Sequence, residues 1–167
     1  MNQKSKVLVV EDDAGIRQSL FETLGALGFA VGEAHNGEEA LVQLRMVSYD
    51  AVLLDINMPG MGGKETCRRI CHTFPGLPIV MLTVHDDEED IVESLDAGAF
   101  DYVTKPFQIR ELTARLRSVI RRRHAPMGET DLIRIVGDIT LDANRRLVEK
   151  KVNRSTSLQK NTRPSVV

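Results

Sequence analysis

The sequence predicts an α/β domain, a parallel sheet with helices on both faces, over residues 1–124. Short apolar runs there alternate with longer segments of helical period, as in chained strand–helix–strand units. The runs Val7-Leu8-Val9-Val10, Ala51-Val52-Leu53-Leu54 and Ile79-Val80-Met81-Leu82 are apolar throughout, as strands covered on both faces are. They end on Glu11-Asp12-Asp13, on Asp55 and on Thr83, and a fourth, shorter run reaches Lys105-Pro106. In an open parallel sheet the carboxyl ends of the strands share one edge, so these polar groups can converge although they are far apart in sequence.

Five strands fit, near residues 6–10, 30–34, 50–54, 78–82 and 100–104. The second, Ala30-Val31-Gly32-Glu33-Ala34, is poor in the β-branched residues that favour strands. Ile16, Leu20, Leu24 and Leu27 make one face of a first helix, which Gly28 ends as a residue able to take positive φ. Asn36 with Glu39 reads as a capping pair for a second helix that buries Ala40, Leu41 and Leu44. A third helix runs from Lys64 to Thr73 and stops before Pro75-Gly76. A fourth opens on the acidic run Asp86 to Asp90, carries Ile91 and Leu95 and ends at Gly98. The fifth follows Pro106, turns Leu112, Leu116 and Val119 or Ile120 inward, and ends basic at Arg121-Arg122-Arg123.

After His124 the texture changes. Residues 125–131 read as a linker, residues 132–152 alternate as an antiparallel β meander, and residues 153–167, rich in Ser, Thr and Asn, read as a disordered tail. With 167 residues, 42% apolar, 28% charged and a net charge of −2, the chain reads as a globular protein with no overall charge signal for nucleic acid. No apolar run approaches the roughly 18 residues a membrane span needs, so the expected location is the cytoplasm. Cys67 and Cys71 stand four apart on the third helix and suit a reduced compartment, as small buried side chains rather than a disulfide or metal site.

Bringing Glu11, Asp12 and Asp55 together has a cost. Carboxylates about 4 Å apart repel by roughly 4 kcal/mol per pair at an effective dielectric near 20, so the cluster calls for a cation or protons. Mg2+ suits it, being a hard ion that takes one or two carboxylates plus water and phosphate oxygens. An Asp can itself receive a phosphoryl group as an acyl phosphate, with Lys105 as a fixed cation and Thr83 as a hydroxyl donor.

On these residues the chain resembles the receiver domain of two-component response regulators, across residues 5–124. The matching motifs are Val9-Val10-Glu11-Asp12-Asp13, Leu53-Leu54-Asp55-Ile56-Asn57-Met58-Pro59-Gly60, Leu82-Thr83 and Gly98-Ala99-Phe100-Asp101-Tyr102-Val103-Thr104-Lys105-Pro106-Phe107. The resemblance implies a flavodoxin-like, doubly wound sheet of strand order 2-1-3-4-5 with five helices. It implies Asp55 as acceptor of a phosphoryl group from a sensor histidine kinase, and Mg2+ held by Glu11, Asp12, Asp55 and the backbone carbonyl of Asn57. Thr83 and Lys105 are assigned to the phosphoryl oxygens, Tyr102 to an aromatic switch coupled to Thr83, and the Lys105–Pro106 bond to the cis form. Phosphorylation is expected to promote a homodimer through the face made by the fourth helix, fifth strand and fifth helix, because one new hydroxyl bond and one rearranged lysine contact supply only part of the ~5.5 kcal/mol that takes a two-state equilibrium from 1:99 to 99:1.

The meander, through Val136-Gly137-Asp138-Ile139-Thr140-Leu141-Asp142, resembles the start of the winged-helix effector of OmpR-type regulators, whose further helices include the one that enters the DNA major groove. Those helices have no match here, so the expectation is a receiver with a truncated effector, without DNA binding. A receiver acting by protein contact, or as a phosphoryl sink, is the rival reading. Ile91 and Phe100 replace the charged residues usual on the OmpR-type dimer face, which leaves Asp101 with Arg115, takes the basic partner from Glu111 and offers a new apolar interface. Val84 is bulkier than the residue usual after the threonine, and narrows access to Asp55. Haloacid-dehalogenase-type phosphatases also use a strand-end Asp, but need a second Asp where Asn57 stands, so an enzyme is not expected. Gly60-Met61-Gly62-Gly63-Lys64-Glu65 lacks the Ser or Thr of a nucleotide-binding loop.

Overall fold

The computed structural model describes residues 2–84 and 88–124, and the backbone of three strands between 133 and 150. Five strands, β1 (Lys6–Val10), β2 (Ala30–Ala34), β3 (Ala51–Asp55), β4 (Ile79–Thr83) and β5 (Asp101–Thr104), alternate with α1 (Ala14–Ala26), α2 (Gly37–Met46), α3 (Gly62–Thr73), α4 (Glu88–Asp96) and α5 (Ile109–His124). All pairings are parallel and the order is β2-β1-β3-β4-β5, as the resemblance implied. Even the poorly β-forming second strand pairs along its full length with β1, Lys6 to Val10 against Ala30 to Ala34.

The period of two along each strand divides the core into two layers. Leu8, Val10, Val52, Leu54, Ile79 and Met81 pack with Ala40, Leu44, Cys67 and Ile70 of α2 and α3. Their neighbours Val7, Val9, Leu53, Val80, Leu82 and Val103 pack on the other face with Leu20 and Leu24 of α1 and Leu112, Leu116 and Val119 of α5. Residues 7–10, 52–54 and 79–82 have no exposed surface at all, which is why these strands read as unbroken apolar runs.

Local chemistry sets the helix ends. The Asn36 carboxamide accepts from the Glu39 amide at 2.8 Å, and the Glu39 carboxylate returns to the amide of His35 at 2.9 Å, one residue before the cap. α1 ends at Ala26, with Gly28 at φ 99°. The helix therefore stops before Leu27, which lies 42% exposed instead of on the buried face expected of it. β3 runs one residue further than the sequence suggests, so Asp55 is itself the last strand residue. α4 opens at Glu88; residues 86 and 87 of its expected acidic start lie outside the described residues.

Ile91 is 5% exposed and Phe100 is half-buried against the α1/α5 layer, so both side chains pack largely onto their own domain. Asp101 takes two 3.0 Å bonds from Arg115, and Glu111 accepts from the same guanidinium at 3.2 Å, so Glu111 has a basic partner within its own helix. The Cys67 and Cys71 thiols donate to the carbonyls of Ala97 and Gly98 at 3.6 and 3.5 Å, with Cys67 wholly buried, as a core role requires.

The chain divides into two compact units, Met1–Pro126 and Met127–Val167. In the second, β6 (Ile133–Val136), β7 (Ile139–Asp142) and β8 (Leu147–Lys150) form the antiparallel meander expected there, in sequential order. The expected linker at 125–131 and tail at 153–167 lie outside the described residues. Leu54 is wholly buried on a central strand one residue before Asp55. Leu54→Ala is expected to cost about 2–5 kcal/mol by lost burial plus cavity, measured by urea unfolding.

Candidate functional site

Parallel register brings the acids together. Val10 is paired with Leu54, so the residues that follow, Glu11 and Asp55, lie side by side at the carboxyl edge of the sheet. Ligand oxygens of Glu11, Asp12 and Asp55 all fall within 4.8 Å of one another, and this is the one such cluster of three or more metal-capable side chains among the described residues. Glu11 is 1% exposed and Asp55 2%, while Asp12 is open to solvent. Two buried carboxylates in contact demand a positive partner. Lys105, just beyond β5, supplies it: its Nζ lies 3.0 Å from Glu11 Oε2 and 3.2 Å from Asp55 Oδ1.

The edge is held by backbone bonds. The Lys105 amide donates to the Thr83 carbonyl at 2.6 Å, fixing the end of β4 beside the lysine, and the Lys105–Pro106 peptide is cis. Beyond Asp55 the chain turns sharply, with the Ile56 amide bonded to Leu82 O at 2.9 Å and the Gly63 amide to Ile56 O at 3.0 Å. A Cβ at Gly63 would sit 2.2 Å from the Asp55 carbonyl oxygen, so only glycine lets the start of α3 approach this closely. The amides of Asp13 and Asn57 donate to Glu11 Oε1 at 3.1 Å and Asp55 Oδ1 at 3.2 Å.

Thr83 is 2% exposed at the end of β4. Tyr102 pairs with Met81 across β4 and β5, half-buried against the α2/α3 layer, while its neighbour Val103 faces α1 and α5. All the residues singled out by sequence therefore lie on β1, β3, β4, β5 or the residues just after them. The roles of three residues escaped the sequence reading. Asp13 caps α1 by accepting from the Ile16 amide at 2.9 Å, Gly63 permits the close turn, and Arg17 donates to the carbonyls of Glu11 at 2.8 Å and Asp12 at 3.4 Å. A first-turn position for Arg17 could have flagged it; its carbonyl partners leave no sequence signal.

Burial pushes the Glu11 carboxyl up to about 7; the Lys105 hydrogen bond and the Asp13 amide oppose the rise, and the charge of Asp55 adds to it. Lys105 is held above its ordinary value, the burial that works against its charge being outweighed by the bond to Glu11 and the charge of Asp55. Glu11 binds its proton more tightly in the folded chain than in the unfolded one. Its contribution to stability is therefore complete below the unfolded value of 4.5 and lost as pH rises through about 7. Relative to wild type, Glu11→Gln is expected to gain stability between pH 5 and pH 8, measured by urea unfolding in EDTA; a pH-independent difference would show that the carboxyl is ionised throughout.

With this geometry in view, the likeness to known proteins is specific. The family model described as the response regulator receiver domain matches residues 7–117. The response regulator MprA of Mycobacterium tuberculosis is 40% identical over 149 residues, covering 89% of this chain and 63% of that protein. MprA of Mycobacterium avium is 40% identical over 145 residues, covering 87% and 64%. The chain thus spans under two thirds of the length of these relatives. Among solved structures, the chemotaxis protein CheY4 of Vibrio cholerae superposes with a TM-score of 0.68 at 34% identity, covering 70% of this chain and 99% of that one. A CheY-like receiver domain protein of Methanospirillum hungatei does so with a TM-score of 0.69 at 29% identity, covering 72% and 97%. The chain belongs to the response regulator receiver domain family, the phosphoacceptor module of two-component systems.

Proposed function

We propose that Asp55 accepts a phosphoryl group from the phosphohistidine of a sensor histidine kinase, in a reaction assisted by Mg2+. The observation that carries this reading is the cluster of Glu11, Asp12 and Asp55 oxygens within 4.8 Å, with Lys105 bonded to the two buried members. An Asp55 oxygen attacks phosphorus, the P–N bond breaks, its electron pair stays on the imidazole, and an acyl phosphate forms. The three carboxylates Glu11, Asp12 and Asp55 are hard oxygen donors that fit Mg2+, and with the backbone carbonyl of Asn57 they would hold it. When bound, the ion neutralises charge on the carboxylates and the incoming phosphoryl oxygens. Lys105 moves its contact from Asp55 to the new oxygens, and the Thr83 hydroxyl donates to them. The chain acts on no other substrate; it catalyses only its own phosphorylation and dephosphorylation.

The switch follows from the added charge. A phosphoryl group brings about 1.5–2 negative charges and new acceptor oxygens to a buried edge. Thr83 turns toward them, Tyr102 rotates against the α2/α3 layer behind it, and the α4–β5–α5 face, which carries the Asp101–Arg115 pair, favours a homodimer. Val84, 53% exposed beside the entrance, slows phosphoryl entry and loss. The setting proposed is the cytoplasm; among the described residues no helix is long and apolar enough to cross a membrane. By the OmpR-type resemblance of residues 136–142 the output is transcription regulation, and no DNA contact is assigned to these 167 residues. Arg123, the last of the basic run, instead donates to Tyr49 O at 2.7 Å.

Incubation with acetyl phosphate or a kinase in Mg2+ is expected to label wild type and not Asp55→Asn; label retained by the variant would overturn the assignment of the acceptor. Thr83→Ala is expected to keep the label and lose the phosphorylation-dependent rise in mass by light scattering, and an unchanged rise would remove Thr83 from the switch.

A further inference from the structure

Arg17 lies near the start of α1, just after the loop that carries the acids, and its guanidinium reaches back to donate to Glu11 O at 2.8 Å and Asp12 O at 3.4 Å. Its side chain is 11% exposed, and Glu33 of β2 holds it from the far side with Oε1 3.7 Å from Nε. The loop it grips is short and has few other ties. The Glu11 amide donates to Ala34 O at 3.1 Å, the Asp13 amide returns to the Glu11 side chain at 3.1 Å, and the Arg17 amide donates to Asp13 O at 2.9 Å. Among the described residues, Arg17 is the side chain that donates to the carbonyls of both Glu11 and Asp12.

We propose that Arg17, anchored by Glu33, is a positioning residue for the cation pocket, fixing the Glu11–Asp12 backbone so that both carboxylates reach the same ion as Asp55. The inference rests on the divalent-cation reading of the pocket. Arg17 has two opposed physical effects. As a charge it repels an incoming cation. As a clamp it removes the loop freedom that would otherwise be lost when the ion binds, and partners of this kind commonly govern metal affinity by about 10–100-fold. Two hydrogen bonds to carbonyls, with Glu33 balancing the charge at its far end, place the weight on the clamp.

Opposed signs make the test decisive. The probe is Mg2+, titrated calorimetrically into the full chain at pH 8, with unfolding in EDTA measured on the same samples. Arg17→Ala is expected to weaken Mg2+ about tenfold. Arg17→Lys keeps the charge without the paired donors and is expected to fall between, and Glu33→Gln, which keeps Arg17 but loosens its anchor, to weaken binding by a smaller factor. Tighter binding or unchanged binding in Arg17→Ala would overturn the proposal, because charge alone predicts the first and a merely structural residue the second, with stability reduced and the affinity of the folded chain intact. Should Arg17→Ala not fold, Arg17→Lys and Glu33→Gln decide: wild-type affinity in both overturns it. Asp12→Asn separates the two readings. If wild type shows no saturable Mg2+ binding, or Asp12→Asn leaves it unchanged, the cation reading itself fails; if both behave as metal ligands require and Arg17→Ala does not, only the role of Arg17 falls.

Discussion

The buried contact of Glu11, Asp55 and Lys105 is the constraint around which this domain is arranged. Two carboxylates with 1% and 2% of their surface exposed cannot stay side by side without compensation, and the lysine ammonium shared between them at 3.0 and 3.2 Å supplies it. Each participant comes from a different part of the chain. The strand order makes this possible: β1 and β3 are neighbours, β4 and β5 follow, and every chain direction is the same, so four strand ends meet within the span of a few side chains. The two apolar layers above and below the sheet hold those ends in place.

This arrangement is poised because its compensation is incomplete. Burial, with the charge of Asp55 adding to it, raises the Glu11 carboxyl to about 7 in spite of the Lys105 bond, so the edge has residual demand for positive charge. In the proposed reaction a cation meets that demand, and the phosphoryl oxygens redistribute it. Lys105 is the residue best able to respond, since its amide is bonded to Thr83 O and its ammonium to both buried acids. Its main chain ties the end of β4 to the segment leading to α5, while its side chain reaches the acids.

Much of this was legible in the residue order. The unbroken apolar runs gave away β1, β3 and β4 because those strands are covered on both sides, and Asp55 and Glu11 stood out as acids ending such runs. Lys105 stood out at the end of a fourth, shorter run, whereas Tyr102 and the strand order were legible through the family motifs, β5 being short with alternate residues only half-buried. Leu27 was misread because periodicity identifies a helix face without saying where the helix stops. Ile91 and Phe100 stand where the family carries charge, yet in this chain both are drawn into the core. Arg17 and Gly63 were invisible for one reason: what they contact is backbone, whose position exists only once the fold has formed.

The far end of α5 has its own consequence. Arg123 donates to Tyr49 O and His124 lies 3.4 Å from Asp50, both residues just before β3, at the edge of the sheet remote from Asp55. α5 has 16 residues, which at 1.5 Å each is about 24 Å of rod. Its first turn leaves the lysine segment and its last turn is bolted to the opposite rim. One unbroken helix thus ties the two rims of the sheet together, so the lysine segment and the residues entering β3 share a single rigid brace.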